Sequence, residues 1–599
     1  MRSFSKFVFN LIILACVLTG VCFAKESGLN EFDINNTSAV IVLHYTDDPT
    51  ISKSAFRFSS YINKILSVKI DHRPVKSPIN FFQLSFDRKF TEKTLPSRDR
   101  IKNDGFHLKV SEEKIDIVAL KPSGIIFGIA QLLEEFGFRF YLPNELGTIY
   151  PRPPLKATVV DLVSNPAFRF RSIGKTDWSY QVLRSNVNIE SIPEDKGERI
   201  WGYFHSTDII FPKALNISNP EYFAIPSEKY QKILNTLNKN KILPATFGIK
   251  IRTTHPEVIQ KTASHLAELS KSGRYSMLTL GLSDGRGFDT RKEATKLDES
   301  FVKVDRKVSR RVVLFYNAVA KAYRAKGGEI PIRVGFYDIY NAPPKDKSIE
   351  LEPELVPYIT HFYYSQTKPI TDSLHQSNVK FKALIEAWAY YKKPLFFYEY
   401  LYKVNWLELP WMTYPFLKDN LTFLAGQGTI GFLTQFSEKN AFSNLLNYYL
   451  VSKLLWKPNS DIDKIKEEFF HLFYGDSAPI MEQVYWMLEQ DFYNSPGIHG
   501  HAKKNFTRVF QKYTLNEALR ISKEELGKSH DKLVKERIQI MTLWLEYTVT
   551  MREILDGNEG NKQREKIRNI IATATEKNYL LFDQTMLQQS LHNHLGFRF

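Results

Sequence analysis

Eight short apolar runs occupy the middle of the chain and constrain its fold more than any other feature. They lie at 168–174, 199–205, 245–251, 275–284, 332–340, 358–364, 394–402 and 428–436. Most are separated by segments of helical length, and 256–271, 309–326 and 380–391 have helical periodicity. This alternation is typical of a (β/α)₈ barrel. We therefore predict an α/β protein with a TIM barrel over residues 155–449, and a degenerate unit at 341–357, where Pro343 and Pro344 leave little room for a helix.

Two further regions flank the predicted barrel. Residues 25–154 contain strand-like runs at 39–45, 80–86 and 105–120, followed by a helical pattern at 125–136 that ends at Gly137. This pattern predicts a small α/β domain that closes at the proline-rich segment 151–154. Residues 450–599 have the apolar spacing of helices, and we expect a helical C-terminal region there.

The first 24 residues have the layout of a secretory signal peptide. Arg2 and Lys6 precede an apolar run at 7–24 that ends in small residues. We expect cleavage, an exported protein (periplasmic, extracellular or at the cell surface) and no stable membrane span afterwards. An uncleaved anchor and a lipid anchor at Cys16 are the alternatives. Cys16 and Cys22 are the only cysteines, so cleavage leaves no thiol for disulfides, metal thiolates or nucleophilic catalysis.

Charge and composition narrow the expected partners. The formal net charge is +16, but the basic residues are interspersed with acids and form no run of five or more. This pattern favours a solvated surface and no nucleic-acid partner. The aromatic content of 14% is compatible with sugar stacking. We expect no cofactor and no metal, since phosphate-binding motifs are absent and His499 and His501 lack a carboxylate at ligand spacing. The oligomeric state stays open.

Two carboxylates are placed for catalysis, because barrel enzymes react at the C-terminal ends of their strands. Asp284 ends the fourth run and Glu399 lies near the end of the seventh, and these strands face each other across a closed barrel. Glycoside hydrolysis needs one carboxylic acid to protonate the leaving oxygen and a second group to attack, activate water or polarise a neighbour. We predict Glu399 as the acid/base and Asp284 as its partner. The alternatives are a buried pair with Arg or Lys for Glu399 and a simple turn for Asp284.

Other polar and aromatic residues near the strand ends are candidate substrate contacts. They are His205, Asp338 or Tyr340, Tyr363 and Gln435. Trp406, in the polar loop after Glu399, is the candidate stacking platform. For each tryptophan in these loops, packing is the alternative role.

A serine hydrolase is a rival reading of the fourth run. Gly281-Leu-Ser-Asp-Gly285 matches a nucleophile elbow, with Ser283 as nucleophile and His361 or His375 as the later histidine. That motif requires a helix directly after the serine, whereas residues 286–289 are a poor helix start.

Ordered motifs along the chain carry a family resemblance. Asp104-Gly-Phe-His-Leu, Gly124-Ile-Ile-Phe-Gly128 and the segment 132–139 resemble the N-terminal domain shared by α-glucuronidases and hexosaminidases. Downstream, the segments that resemble the family known as domain of unknown function 4838 lie at 219–223, 254–257, 280–285, 317–320, 398–400 and 454–458. The resemblance covers roughly residues 35–490. Members of that family have been placed in glycoside hydrolase family 163, endo-β-N-acetylglucosaminidases that act on N-glycans.

The resemblance implies a glycosidase with a (β/α)₈ catalytic domain, Glu399 and Asp284 in its site, and an oligosaccharide or glycoprotein glycan as substrate. Many relatives carry a cysteine cluster after the Asp-Gly turn, where this chain has Phe288-Asp-Thr-Arg-Lys-Glu293, and Gln435 stands where an acid is common. Retaining, inverting and substrate-assisted mechanisms stay open. An α-glucuronidase-like enzyme or other hexosaminidase, and a non-catalytic carbohydrate-binding protein, are the alternative functions.

Overall fold

The computed structural model describes most of the chain from residue 100 onward. The described residues are 31–33, 41–44, 60, 82–87, 100–111, 114–152, 156–158, 160–174, 176–188, 198–239, 248–300, 307–362, 364–497, 502–558 and 560–597. The predicted signal peptide, with Cys16, lies outside them, as do Tyr363 and residues 499–501. Within the described ranges, no helix has the length and apolar character needed to cross a membrane.

Among the described residues, an antiparallel sheet and helix Pro122–Glu135 form most of the N-terminal unit. Its strands, with two short pairs beside it, are β1 (Glu31–Asp33), β2 (Ile41–His44), β3 (Phe82–Asp87), β4 (Phe106–Val110), β5 (Lys114–Ala119), β6 (Arg139–Phe140), β7 (Thr148–Ile149), β8 (Lys156–Thr158) and β9 (Val160–Ser164). The sheet order is β2-β3-β5-β4-β9, and helix Pro122–Glu135 packs its Ile125 and Leu132 against Leu108 and Ile117. Strand β9 follows residue 154, so the sheet continues past the predicted boundary.

A parallel sheet closes into the predicted barrel. Its strands are β10 (Phe170–Ser172), β11 (Val187–Asn188), β12 (Glu198–Trp201), β13 (Met277–Leu280), β14 (Ile332–Phe336), β15 (Leu355–Thr360), β16 (Leu395–Glu399) and β17 (Thr429–Thr434). They are ordered β10-β17-β16-β15-β14-β13-β12-β11. The N–H of Asn186 donates to the Arg171 carbonyl at 2.8 Å, and its side-chain oxygen accepts from Arg171 N at 2.7 Å. These bonds join the two ends of the sheet, which confirms the predicted fold class.

Two strand predictions need correction. The run at 245–251 supplies no barrel strand: its described part forms isolated bridges to Phe223 and Gly287, and the Lys250 carbonyl accepts from Ala224 N at 2.9 Å. The second barrel strand is Val187–Asn188, which is too short to produce an apolar run. The two errors offset each other, so β13 and β16 remain the fourth and seventh strands.

Helices surround the barrel as the sequence periodicity predicts. The α-helices between β10 and β17 are Asp177–Gln181, Thr207–Ile210, Leu215–Ser218, Glu228–Lys239, Pro256–Lys271, Lys292–Thr295, Ser309–Ala325, Gln376–Ala389 and Leu417–Gly426. Between β14 and β15, all described, the chain forms only a 3₁₀ turn at Asp338–Tyr340. The expected degenerate unit is therefore present.

The C-terminal region is helical and shares one hydrophobic core with the outer layer of the barrel. Its α-helices are Leu445–Trp456, Ile462–Tyr474, Ala478–Asn494, Ala502–Val509, Lys512–Lys528, Lys532–Leu555, Asn561–Glu576 and Gln584–Leu595. The apolar pattern over 515–555 belongs to two helices, because Asp531 starts a new one by accepting from Val534 N at 2.8 Å.

A buried ion pair between Asp104 and Arg171 connects the N-terminal unit to the first barrel strand. Arg171 in β10 is fully buried, and its Nη2 donates to Asp104 Oδ2 at 3.1 Å. The same carboxylate accepts from Ser123 Oγ at 3.1 Å and from the Asn186 side chain. Because Asp104 is also buried, each charge depends on the other for compensation.

Candidate active site

A cavity of about 830 Å³ opens at the C-terminal ends of the barrel strands. Its walls combine aromatic rings with charged and amide side chains, which is the composition of a ligand site. The rings are Tyr203, Phe204, Tyr230, Tyr337, Tyr358, Phe362, Tyr398 and Tyr400; the charged or amide groups are His205, Asp284, Arg286, Arg333, Asp338, Lys403, Asn405 and Gln435. Among the described residues, no group of three or more His, Cys, Asp or Glu is arranged to hold a metal ion.

Asp284 is the cavity carboxylate with an oxygen left for a ligand. It follows β13, and its Oδ1 accepts from Gly285 N at 2.7 Å in a turn where Gly285 has φ +84°. Its Oδ2 receives no hydrogen bond from a described residue. Asp284 thus lines the cavity just after the fourth barrel strand.

His205 lies in the wall near Asp284. Its Nδ1 is 2.8 Å from the carbonyl oxygen of Leu282, and since a carbonyl only accepts, that nitrogen carries the proton. Burial lowers the pKa of His205, against the opposing effect of the Asp284 charge. The neutral ring then presents Nε2 as an acceptor.

Behind Asp284 lies a buried charge cluster that sequence reasoning missed. Lys250 is fully buried, donates to the Ser283 carbonyl, and has its pKa lowered to about 8 by burial. Burial also raises the pKa of Asp208 to about 7, while the charge of Lys250 opposes that rise. The signal available in the sequence was Lys250 itself, a charge inside an apolar run.

A second cavity acid, Asp338, is held in an ion pair. Arg286 donates from Nε and Nη2 to the two Asp338 oxygens at 2.7 and 2.6 Å. Asp338 has φ +53°, a left-handed conformation that costs energy in a residue other than glycine. Its carboxylate is therefore fixed, and both of its oxygens are engaged.

Glu399 does not face the cavity, which corrects the expected convergence with Asp284. Side chains alternate along β16, so Tyr398 and Tyr400 take the inward positions and Glu399 points to the helix layer. Its Oε1 and Oε2 lie 2.9 and 2.7 Å from His361 Nδ1, and Tyr400 N donates to Oε1 at 2.8 Å. Glu399 thus forms a buried pair, with a histidine in place of the Arg or Lys considered from sequence.

The remaining predicted contacts divide between wall and core. Gln435, like His205, lines the cavity. Tyr340 is fully buried against Phe288, with ring centroids 5.6 Å apart, and is not part of the wall. Trp406 is also buried: its Nε1 donates to the Pro410 carbonyl at 2.8 Å and its ring packs on Trp411. A stacking role for Trp406 is therefore wrong, because the C-terminal helices cover its ring.

The nucleophile elbow is absent. Ser283 is buried, and residues 284–290 form bends and loops before the short helix Lys292–Thr295. His361 is engaged with Glu399, and His375 directly precedes helix Gln376–Ala389 on the outer side of the barrel without a side-chain capping hydrogen bond. Because the strand-turn-helix geometry is absent and neither His361 nor His375 is placed to act as the base, Ser283 is not an activated nucleophile.

The C-terminal helix Lys532–Leu555 supports the cavity loop that follows β16. Residues 404 and 405 of this loop line the cavity, and Leu407 and Glu408 both have left-handed φ, +60° and +55°. Tyr547 Oη donates to the Leu407 carbonyl at 2.7 Å, and Trp544 Nε1 to the Glu408 carbonyl at 2.9 Å. The two bonds hold a strained turn in place from outside the barrel.

We expect Tyr547→Phe to loosen this loop. The variant loses one buried hydrogen bond, about 1 kcal/mol, so amide exchange across residues 403–411 should accelerate roughly fivefold. Hydrogen exchange read by mass spectrometry checks this, with the exposed Tyr513→Phe as control. Unchanged exchange in the loop would show that Tyr547 does not restrain it.

Glu408 makes the same loop sensitive to pH. The side chain is buried, and burial raises its pKa to about 8, although Asn440 and Tyr402 donate to the carboxyl. In the unfolded state the Glu408 carboxyl has a pKa of about 4.3 and loses its proton at a lower pH than in the folded state. Stability is lost as pH rises between these two values.

Glu408→Gln replaces the carboxyl with a neutral amide that does not titrate. We expect the free energy of unfolding to fall less for this variant than for the wild type between about pH 5 and about pH 9. The difference should be on the order of a few kcal/mol. Urea unfolding of both proteins at the two pH values measures it. Parallel pH dependence of the two would contradict a protonated Glu408 in the folded protein.

The chain belongs to the family described as domain of unknown function (DUF4838), whose model matches residues 142–485. This range includes the barrel and the first C-terminal helices, and it confirms the resemblance to this family that the motifs between residues 219 and 458 carry. No curated protein matches the chain.

Solved structures resemble the chain at low identity. A family 89 glycoside hydrolase from Clostridium perfringens, in complex with GlcNAc-alpha-1,4-galactose, has 10% identity, covers 91% of this chain and 69% of its own, and has a TM-score of 0.47. A GH138 enzyme targeting pectin rhamnogalacturonan II has 9% identity, 92% coverage of both chains and a TM-score of 0.43. An N-acetyl-beta-hexosaminidase from Streptomyces plicatus has 11% identity, 76% and 93% coverage, and a TM-score of 0.42. Likenesses this distant leave the activity to be argued from the site.

Proposed function

We propose that the protein is an exported glycoside hydrolase that cleaves O-glycosidic bonds in glycans containing N-acetylglucosamine. One observation carries this proposal: Asp284, with a free carboxylate oxygen, lies in the aromatic wall of a cavity at the mouth of a (β/α)₈ barrel. Such rings bind the apolar faces of sugars. Membership of the DUF4838 family, members of which have been placed in glycoside hydrolase family 163, supports the substrate class. Export rests on the pattern of residues 1–24.

In this proposal Asp284 is the group that meets the glycosidic bond, as acid/base or as the partner that orients a reacting group. Lys250 lies behind Asp284 and supplies a counter-charge. The Nε2 atom of neutral His205 accepts a hydrogen bond from a substrate hydroxyl. Asp338 holds Arg286 at the rim. Glu399 acts on the site only from behind the wall.

The proposal is tested by incubating the full chain with a glycoprotein that carries complex N-glycans and analysing the released sugars by mass. We expect fragments whose masses correspond to cleavage next to N-acetylglucosamine. Intact glycans after long incubation, with the folded state verified, would contradict the proposal.

A non-catalytic carbohydrate-binding protein is the second candidate. Glycoside hydrolysis usually needs two reacting groups. Ion pairs engage Asp338 and Glu399, so that among the described residues Asp284 is the cavity carboxylate that stays unpaired, and this favours binding without catalysis. Binding on a glycan array without turnover of the bound glycan would select this function over the hydrolase.

A further inference from the structure

Lys403 is a buried cation in the cavity wall. It follows β16, is 7% exposed, and its ammonium donates to the side-chain oxygen of Gln366. Its Nζ lies 5.1 Å from the ring centre of Tyr400 and 4.9 Å from that of Trp411. No carboxylate of a described residue lies within 4 Å of it, so the charge has only an amide and two rings for compensation.

Glu399 is close enough to influence Lys403 but does not neutralise it. Gln366 stands between them, with Nε2 3.5 Å from Glu399 Oε1 and 3.4 Å from the His361 carbonyl, which turns its oxygen toward Lys403. Burial lowers the pKa of Lys403 to about 7 in spite of the Glu399 charge. The direction of this shift accords with the absence of a carboxylate within 4 Å of the ammonium among the described residues.

The cavity wall contains a second buried cation that is not paired with a carboxylate of a described residue. Arg333 in β14 is fully buried, with Nε donating to Thr279 Oγ1 at 2.7 Å and Nη2 to the Gly202 carbonyl at 3.3 Å. Its Nη1 has no partner among the described residues, and no carboxylate there pairs with it. Of the wall acids, Asp338 is already neutralised by Arg286. The cavity therefore has more positive charge than its own acids compensate.

Buried charges without partners are costly and mark sites that a ligand completes. We propose that Lys403, a cation of the cavity wall, selects glycans carrying an acidic substituent, a carboxylate or a sulfate, on the sugar held in the cavity. The inference rests on the proposed glycan site and names the substrate class more narrowly. It does not require hydrolysis, because it concerns affinity.

Binding of matched sugar pairs tests the proposal. Isothermal titration with methyl β-D-glucuronide and methyl β-D-glucoside compares a carboxylate with a hydroxymethyl group, and N-acetylglucosamine 6-sulfate with N-acetylglucosamine tests the sulfate. We expect the acidic member of at least one pair to bind about tenfold more tightly or better. The pair that shows the preference identifies the acidic group.

Variants assign the preference to Lys403. Lys403→Met should bring the acidic and neutral sugars to equal affinity, and Lys403→Arg should retain the preference. Lys347→Met, which removes an exposed lysine lying 4.7 Å from the Tyr390 ring, should change nothing. Equal affinities in the wild type, a preference that survives Lys403→Met, or no binding of any of the four sugars would each overturn the proposal. Acid-selective binding without glycan cleavage would instead sustain it and contradict the hydrolase.

Discussion

Asp284→Asn should reduce the hydrolysis of N-acetylglucosamine-containing glycans by about 10²- to 10⁴-fold, the usual contribution of a positioned acid/base. The amide fills the same space and still accepts from Gly285 N, but it neither transfers a proton nor carries the charge. We expect the loss in kcat, with KM little changed, because the side chain acts on the reacting bond. Initial rates from glycan release measure both constants.

Two comparisons make this result specific. Asp346→Asn, at an exposed aspartate outside the cavity, should keep full activity. Glu399→Gln should reduce activity less than Asp284→Asn, since Glu399 reaches the cavity only through Gln366 and Lys403. Loss of activity confined to Glu399→Gln, with Asp284→Asn active, would restore the sequence-based assignment of the acid/base and refute the one drawn from the cavity.

Asp104→Asn should have the largest effect on stability. It leaves the guanidinium of Arg171 buried with no counter-charge between the N-terminal sheet and the barrel. Breaking a buried ion pair in this way costs about 3–5 kcal/mol, because the remaining charge stays desolvated. Urea unfolding followed by circular dichroism should show the loss, together with a lower Tm.

A matched control lies on the same sheet. Asp161 in β9 also pairs across the sheet, with His107 at 2.7 Å, but its side chain is 55% exposed. Asp161→Asn should therefore cost no more than about 1 kcal/mol. Equal destabilisation by the two substitutions would mean that burial does not set the cost of removing Asp104.

Much of the fold could be predicted from sequence because apolar periodicity reports burial directly. The strands β13 to β17 and the helices Pro256–Lys271 and Ser309–Ala325 follow from runs and spacing alone. Strand β11 could not, since two residues paired at the barrel's closing point leave no periodic signal. The run at 245–251 misled because an apolar segment crossing the barrel mouth resembles a buried strand.

The site was less predictable, because it depends on side-chain direction and on contacts distant in sequence. Asp284 and Gln435 were found from strand ends. Successive side chains of a strand point to opposite faces, so Glu399 points outward because Tyr398 and Tyr400 point into the barrel. The apolar pattern of β16 does not show which of the two sets faces inward. The burial of Trp406 depends on Phe506 of the C-terminal helices, whose position the sequence pattern does not encode. Lys403 gave no signal, since it lies among ordinary polar loop residues.

A crystal structure of Asp284→Asn bound to an N-acetylglucosamine-containing oligosaccharide tests the central claim most directly. We predict sugar rings in the barrel cavity, packed against Tyr398 or Tyr400, with the glycosidic oxygen within hydrogen-bond distance of the side chain at position 284. An oligosaccharide bound outside the cavity, or bound inside it with the glycosidic bond remote from that side chain, would contradict the claim.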